Sequence, residues 1–253
     1  MADEVLQPAA APSPSGARSL VADDKARSLP AAVRSEARLA ALLATIAGFV
    51  DAYGIIAYGV FVSFMSGNTT QTGYQAAEGE FGPASASALA ILFFFVGTFA
   101  GALFVGPRGR RARPLVFTFV AATLAAIIGL TQLRLLSTGF GIAIVSFAMG
   151  VFNSALSRVG AQSVSLTFVT GTLSRVGSHL ALAVRRAPLT NSQGPWDTHL
   201  RRALILARVW AGFIAGAIFA GAATPRFGAW VLSAPVLILA ALAAFDRPDG
   251  AAR

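Results

Sequence analysis

Six apolar runs, at 39–60, 88–106, 114–134, 139–157, 203–222 and 229–245, constrain this chain more than any other feature. Each is close to the roughly 20 residues an α-helix needs to cross ~30 Å of hydrocarbon. Inside a bilayer only helices and closed barrels satisfy their own backbone groups. A barrel would show alternating segments of about 10 residues, a pattern not present here. The fold class expected is therefore all-α, a polytopic membrane protein. Composition agrees: 55% of the 253 residues are hydrophobic and 12% are charged, outside the soluble range.

A net charge of +9 raises the question of nucleic acid. The arginines gather in the connections between apolar runs rather than in a stripe interleaved with aromatics, so membrane topology explains them and no nucleic-acid partner is expected. With no cysteine and two histidines far apart in sequence, neither a metal site nor a cofactor is expected. Residues 1–37 are rich in Ala, Pro and Ser and carry charges of both signs, which reads as a disordered cytosolic tail rather than a cleaved signal. Residues 38–246 form the transmembrane domain, and 247–253 a short cytosolic C-terminus.

Within the apolar sequence a polar element occurs twice. Phe64-Met65-Ser66-Gly67-Asn68-Thr69-Thr70-Gln71-Thr72-Gly73 aligns with Phe168-Val169-Thr170-Gly171-Thr172-Leu173-Ser174-Arg175-Val176-Gly177. Gly48-Phe49-Val50-Asp51 likewise aligns with Gly150-Val151-Phe152-Asn153, and the GxxxG stretch 97–102 with 212–217. If Arg38 and the cluster Arg108, Arg110, Arg111 and Arg113 share the cytoplasmic side, an even number of crossings separates them. The two apolar runs between them suffice, and the polar element 64–79 enters and returns without crossing. The same reasoning makes 164–184 re-entrant. Six transmembrane helices then fall into two inverted three-helix repeats, 39–134 and 139–245, with both termini cytoplasmic. The competing count is eight, with both polar elements as full helices.

The candidate binding residues for a substrate or ion are Asp51, Ser66, Asn68, Thr69, Asn153, Thr170, Thr172 and Arg175. Asp51 is the one acid inside an apolar run, where a carboxylate costs about 2.5–3.5 kcal/mol on insertion scales. It suits a proton- or cation-coupling group, or equally a cap on broken backbone near Gly54 and Gly59 or a buried bridge to Asn68 or Arg175. The hydroxyls and amide of 66–70 either line a water-filled cavity or satisfy carbonyls of a distorted helix. Arg175 and His179 share a helical face, pointing inward toward an anionic group or sitting at the cytoplasmic rim. Arg208 reads as a snorkelling residue, and Trp196, Trp210 and Trp230 as an interfacial belt.

Residues 48–79, with Asp51, Phe61, Phe64, Ser66, Gly67, Asn68 and Thr69 carrying the match, resemble the YoaK-like family of bacterial integral membrane proteins. Ser66 stands where that pattern more often has Thr. The resemblance extends over about 38–245 and implies a multi-pass protein of the bacterial inner membrane. The family is one of unknown function and supplies no substrate, cofactor or catalytic residue.

The functional expectation is a small secondary transporter or permease for a small polar solute or ion. The alternative is a structural or regulatory membrane subunit without transport activity. A nucleotide-driven pump has no G-x-x-x-x-G-K-[ST] loop here, and a serine hydrolase has no G-x-S-x-G elbow, so no enzymatic activity is expected. Partners are the lipid bilayer and a second copy of the chain, with GxxxG faces as the contact.

Overall fold

A computed structural model of the chain describes residues 28–106, 108–155, 158–159, 162–163 and 169–245. Most of the expected tail, the C-terminal segment and the opening of the second polar element, Phe168 included, lie outside the described residues. The helices are α1 (Ala31–Tyr58), α2 (Met65–Ala77), α3 (Phe81–Val105), α4 (Arg113–Gln132), α5 (Thr138–Asn153), α6 (Val169–Val184), α7 (His199–Phe227) and α8 (Ser233–Phe245). Among the described residues the regular structure is otherwise helical, interrupted by an antiparallel pair of two-residue strands, β1 (Arg158–Val159) and β2 (Gln162–Ser163).

Among the described residues four stretches are long and apolar enough to cross a membrane: Ala31–Tyr58, Phe81–Val105, Gly109–Gln132 and His199–Phe245, with Thr138–Asn153 apolar but shorter. The last of the four is not a single rod. At Gly228 the backbone takes φ 53°, a conformation glycine adopts without strain, and a 3-10 turn over Gly228–Leu232 separates α7 from α8.

Small residues set the helix pairing. A Cβ on Gly48 would overlap the carbonyl oxygen of Phe213, and one on Gly216 that of Thr45. Gly212 faces Ala41 one turn earlier, so α1 and α7 run parallel in close contact. Gly97 meets the Phe147 carbonyl and Gly101 meets Val151, so α3 and α5 are also parallel. Tyr58, at the end of α1, packs on Gly141 near the start of α5, which sets those two antiparallel. Both GxxxG faces are consumed inside the chain and are not left over for a second copy, because each lets a partner backbone approach.

The start of α1 holds the largest departure from expectation. Its first turns occupy 31–37, within the segment assigned to the tail, and Glu36 is buried there. Arg113 grips both Glu36 carboxylate oxygens, at 3.1 and 2.9 Å, and its Nε donates to the Ala155 carbonyl at 3.1 Å. Arg110 adds a 2.6 Å ion pair from the exposed side. Arg113 and Arg110, expected only as topology signals, tie the starts of α1 and α4 to the end of α5. The planar guanidinium fork makes that three-way contact possible.

Candidate functional site

The first polar element is built by a chain reversal. Gly59, at φ 75°, ends α1, and residues 60–64 turn back along the helix that precedes them. Val60 and Val62 are buried, with Val62 seated against Gly54, where a side chain would clash. This return path brings the backbone N–H groups of Ser63 and Phe64 to Asp51, whose Oδ1 accepts both, at 2.7 and 3.2 Å. Asp51 lies seven residues, about 10 Å of helical rise, before the end of α1. The N-terminus of α2 therefore starts well back along α1, with a carboxylate at its positive end.

Asn68 completes the clamp. It is fully buried; its Oδ1 accepts from the Phe61 N–H at 3.0 Å, and its Nδ2 donates back to the Phe61 carbonyl. Phe61 and Phe64 stack edge to face, with Gly67 leaving room for both rings. Asp51 and Asn68, singled out as possible ligands, thus both hold the re-entrant backbone. Free carbonyls and N–H groups in an apolar surround require such partners.

The remaining candidates separate. Ser66 and Thr69 are exposed on α2, where the Thr69 hydroxyl donates to the Met65 carbonyl at 2.8 Å. Helix α2 then runs to Ala77, turns tightly through Glu78–Glu80 and packs on α3, with the Ser87 hydroxyl 3.5 Å from Gln71 Oε1. In the second element Thr170 and Arg175 are exposed on α6, Thr172 is buried, and Asn153, at the end of α5, is half-buried. The groups bound to Asp51 are the backbone amides of Ser63 and Phe64, so the contacts match the cap on broken backbone weighed for it, in place of a bridge to Asn68 or Arg175. Arg208 and Trp230 are exposed.

A cluster that sequence reading missed sits where α6 meets the start of α7. His179 and His199, twenty positions apart and read as too distant to act together, place their Nδ1 atoms 2.9 Å apart. Beside them Arg202 binds both oxygens of the buried Asp197, at 2.8 and 2.7 Å. Burial alone raises the Asp197 carboxyl, but its bonds to Arg202 and to the Gln193 N–H outweigh that and hold it below the usual carboxylate range. The one available signal was the spacing of His199, Arg201 and Arg202 at a helix start, which specifies no partner.

A family model for proteins of unknown function, DUF1275, matches residues 39–245. The chain belongs to the DUF1275 family. It is also 32% identical over 216 residues to a UPF0700 transmembrane protein of Rhizobium meliloti (strain 1021), covering 83% of this chain and 86% of that one. No solved structure matches. Membership of an uncharacterised membrane-protein family, as the sequence resemblance implied, is thereby shown; the matching names are DUF1275 and UPF0700 rather than YoaK.

Proposed function

We infer that this DUF1275 protein is a small secondary transporter or permease of the bacterial inner membrane, moving a small polar solute or ion past two half-helices. The observation that carries the reading is the return of residues 59–64 along α1 to Asp51, which starts α2 within the depth of the first span. Non-helical backbone at that depth is tolerated where it is buried in protein or lines a water-filled cavity, and it is a recurrent feature of solute sites. Ser66 and Thr69, exposed on the half-helix, and Thr170 on its counterpart are the solute-facing hydroxyls of this reading.

Six crossings in two inverted halves accompany it. In support, α3 is parallel to α5 and therefore opposed to α1, and α2 doubles back against α3, which leaves α2 without a crossing of its own. Contacts between the halves also interchange. Gly48 on Phe213 answers to Gly150 on Phe94, and Gly216 on Thr45 answers to Gly97 on Phe147. That correspondence pairs Gly97 with Gly216, one helical turn beyond the alignment with Gly212 read from sequence. Asn153 and Thr172 take the places of Asp51 and Asn68.

The test is solute and proton flux into proteoliposomes, comparing the natural chain with the S66A/T69A double variant. Both side chains are exposed, so folding is kept and flux falls at least tenfold; unchanged flux rejects the hydroxyl site. A second reading, a structural membrane subunit, is favoured by the full engagement of Asp51 and Asn68 in backbone bonds. Absence of flux across a broad solute panel from well-folded protein supports it.

A further inference from the structure

Among the described residues the His179–His199 pair is the one place where two titratable rings face each other nitrogen to nitrogen. The Nδ1 atoms are 2.9 Å apart, the ring centroids 5.2 Å apart, and the rings tilt by 41°. A hydrogen bond at that distance needs a proton on one Nδ1 and a lone pair on the other. His199 is buried, and its Nε2 has no hydrogen-bond partner. A proton on that Nε2 would be a buried donor without an acceptor, a form that costs roughly 1–3 kcal/mol. His199 therefore carries its proton on Nδ1 and donates it to His179, whose own proton resides on Nε2.

We propose that this pair is a single-proton latch that holds the half-helix α6 to the foot of α7 while both rings are neutral, and that acid opens it. Protonating His199 adds the unsatisfied buried N–H. Protonating His179 on Nδ1 sets two N–H groups against each other unless His199 moves its proton to the buried Nε2. Both charged forms are thus disfavoured in the closed arrangement. The surrounding charges act in the same sense on balance. Burial lowers the His179 pKa first, then His199, Arg202 on α7 and, more weakly, Arg175 on α6, with Asp197 opposing. Arg201 directs its Nη1 to the Trp196 carbonyl at 2.8 Å. A closed-state pKa below the open-state value gives stability that is complete above the ordinary histidine range and is lost as pH falls from about 6.5 toward the closed-state value.

A divalent metal fits less well. Two bonds of about 2.0–2.1 Å at a tetrahedral angle would hold the nitrogens about 3.3 Å apart. The nearby carboxylate of Asp197 is bound to Arg202 on both oxygens. The latch does not depend on transport activity.

Because the chain has two histidines, nitrogen-15 histidine labelling of the full chain in detergent yields two ring systems to follow by NMR. The expected result is an Nδ1–H tautomer for His199, an Nε2–H tautomer for His179, and titration of His179 below the ordinary range. Titration of His179 near about 6.5 or above, or an Nε2–H His199, overturns the proposal. In the naturally cysteine-free chain, labelling of V176C, on the packed side of α6, is measured relative to exposed S178C. That ratio rises about tenfold for each unit by which the pH falls, across the window between the open-state and closed-state pKa of His179. In V176C/H179Q it stays at the acid level at every pH, whereas a ratio that is flat with pH in V176C alone overturns the latch. Micromolar zinc that shifts both rings and slows V176C labelling overturns it in favour of a metal site.

Discussion

At Asp51 a charged residue deep in an apolar helix is explained by two backbone N–H groups. The side chain terminates one helix's neighbour rather than waiting for a ligand. D51A removes the acceptor for both groups and is expected to destabilise the protein by about 2–3 kcal/mol, read as a lower midpoint in thermal or denaturant unfolding in detergent. D51N keeps one carbonyl oxygen in place and is expected to cost less than half as much. Equal losses in the two variants would mean that charge, not hydrogen bonding, holds Ser63 and Phe64. Glu36 poses the opposite case, since its partner Arg113 is itself buried and, among the described residues, has the Ala155 carbonyl as its other acceptor. E36A leaves that guanidinium uncompensated and is expected to cost roughly 3–5 kcal/mol, whereas the E36M/R113M pair is expected to recover most of it. Unfolding midpoints of the single and double variants decide this.

Between helices the decisive atoms are the ones that are missing. Gly48 and Gly216 let α1 and α7 touch backbone to backbone, and Gly97 and Gly150 do the same for α3 and α5. G48A and G150A force apart carbonyls that no rotamer change can move, and each is expected to destabilise by about 1–3 kcal/mol. G73A, on α2, meets nothing within 4 Å, and there the gain in helix propensity, up to about 1 kcal/mol, is expected to be neutral or stabilising. Comparing the three by thermal unfolding in one detergent separates packing from propensity. A G73A loss as large as that of G48A would mean that α2 is covered by another surface.

The fold as a whole makes a statement about sides. Glu36, Arg113 and Ala155 meet at one end of the bundle, while Tyr58 and Gly141 meet toward the other. Single cysteines placed at Ser35, Arg110 and Ser192 are expected to react with an impermeant maleimide from one side of sealed vesicles. Cysteines at Gly79, Leu133 and Gly228 are expected to react only from the opposite side. An eight-crossing arrangement places at least one member of each set on the wrong side.

Length and apolarity of the runs were enough to establish a helical membrane protein, and the doubled Phe-x-Ser/Thr-Gly pattern pointed close to an irregular stretch; the break itself lies at 59–64, just before the pattern, and Met65–Ala77 is a regular helix. Each is a local property, and the bilayer demands it of any chain that crosses. The partner of Asp51 twelve residues on, the grip of Arg113 on Glu36 and the meeting of two histidines came only from the tertiary structure. These depend on where a reversed chain or a neighbouring helix lands, and spacing along one helix carries no record of that. The same cause made Asp51 the cap on broken backbone that was one of its readings, and gave Asn68 a backbone clamp that its sequence position did not announce. A polar group buried in apolar surroundings takes the nearest unsatisfied partner, and a broken helix supplies two.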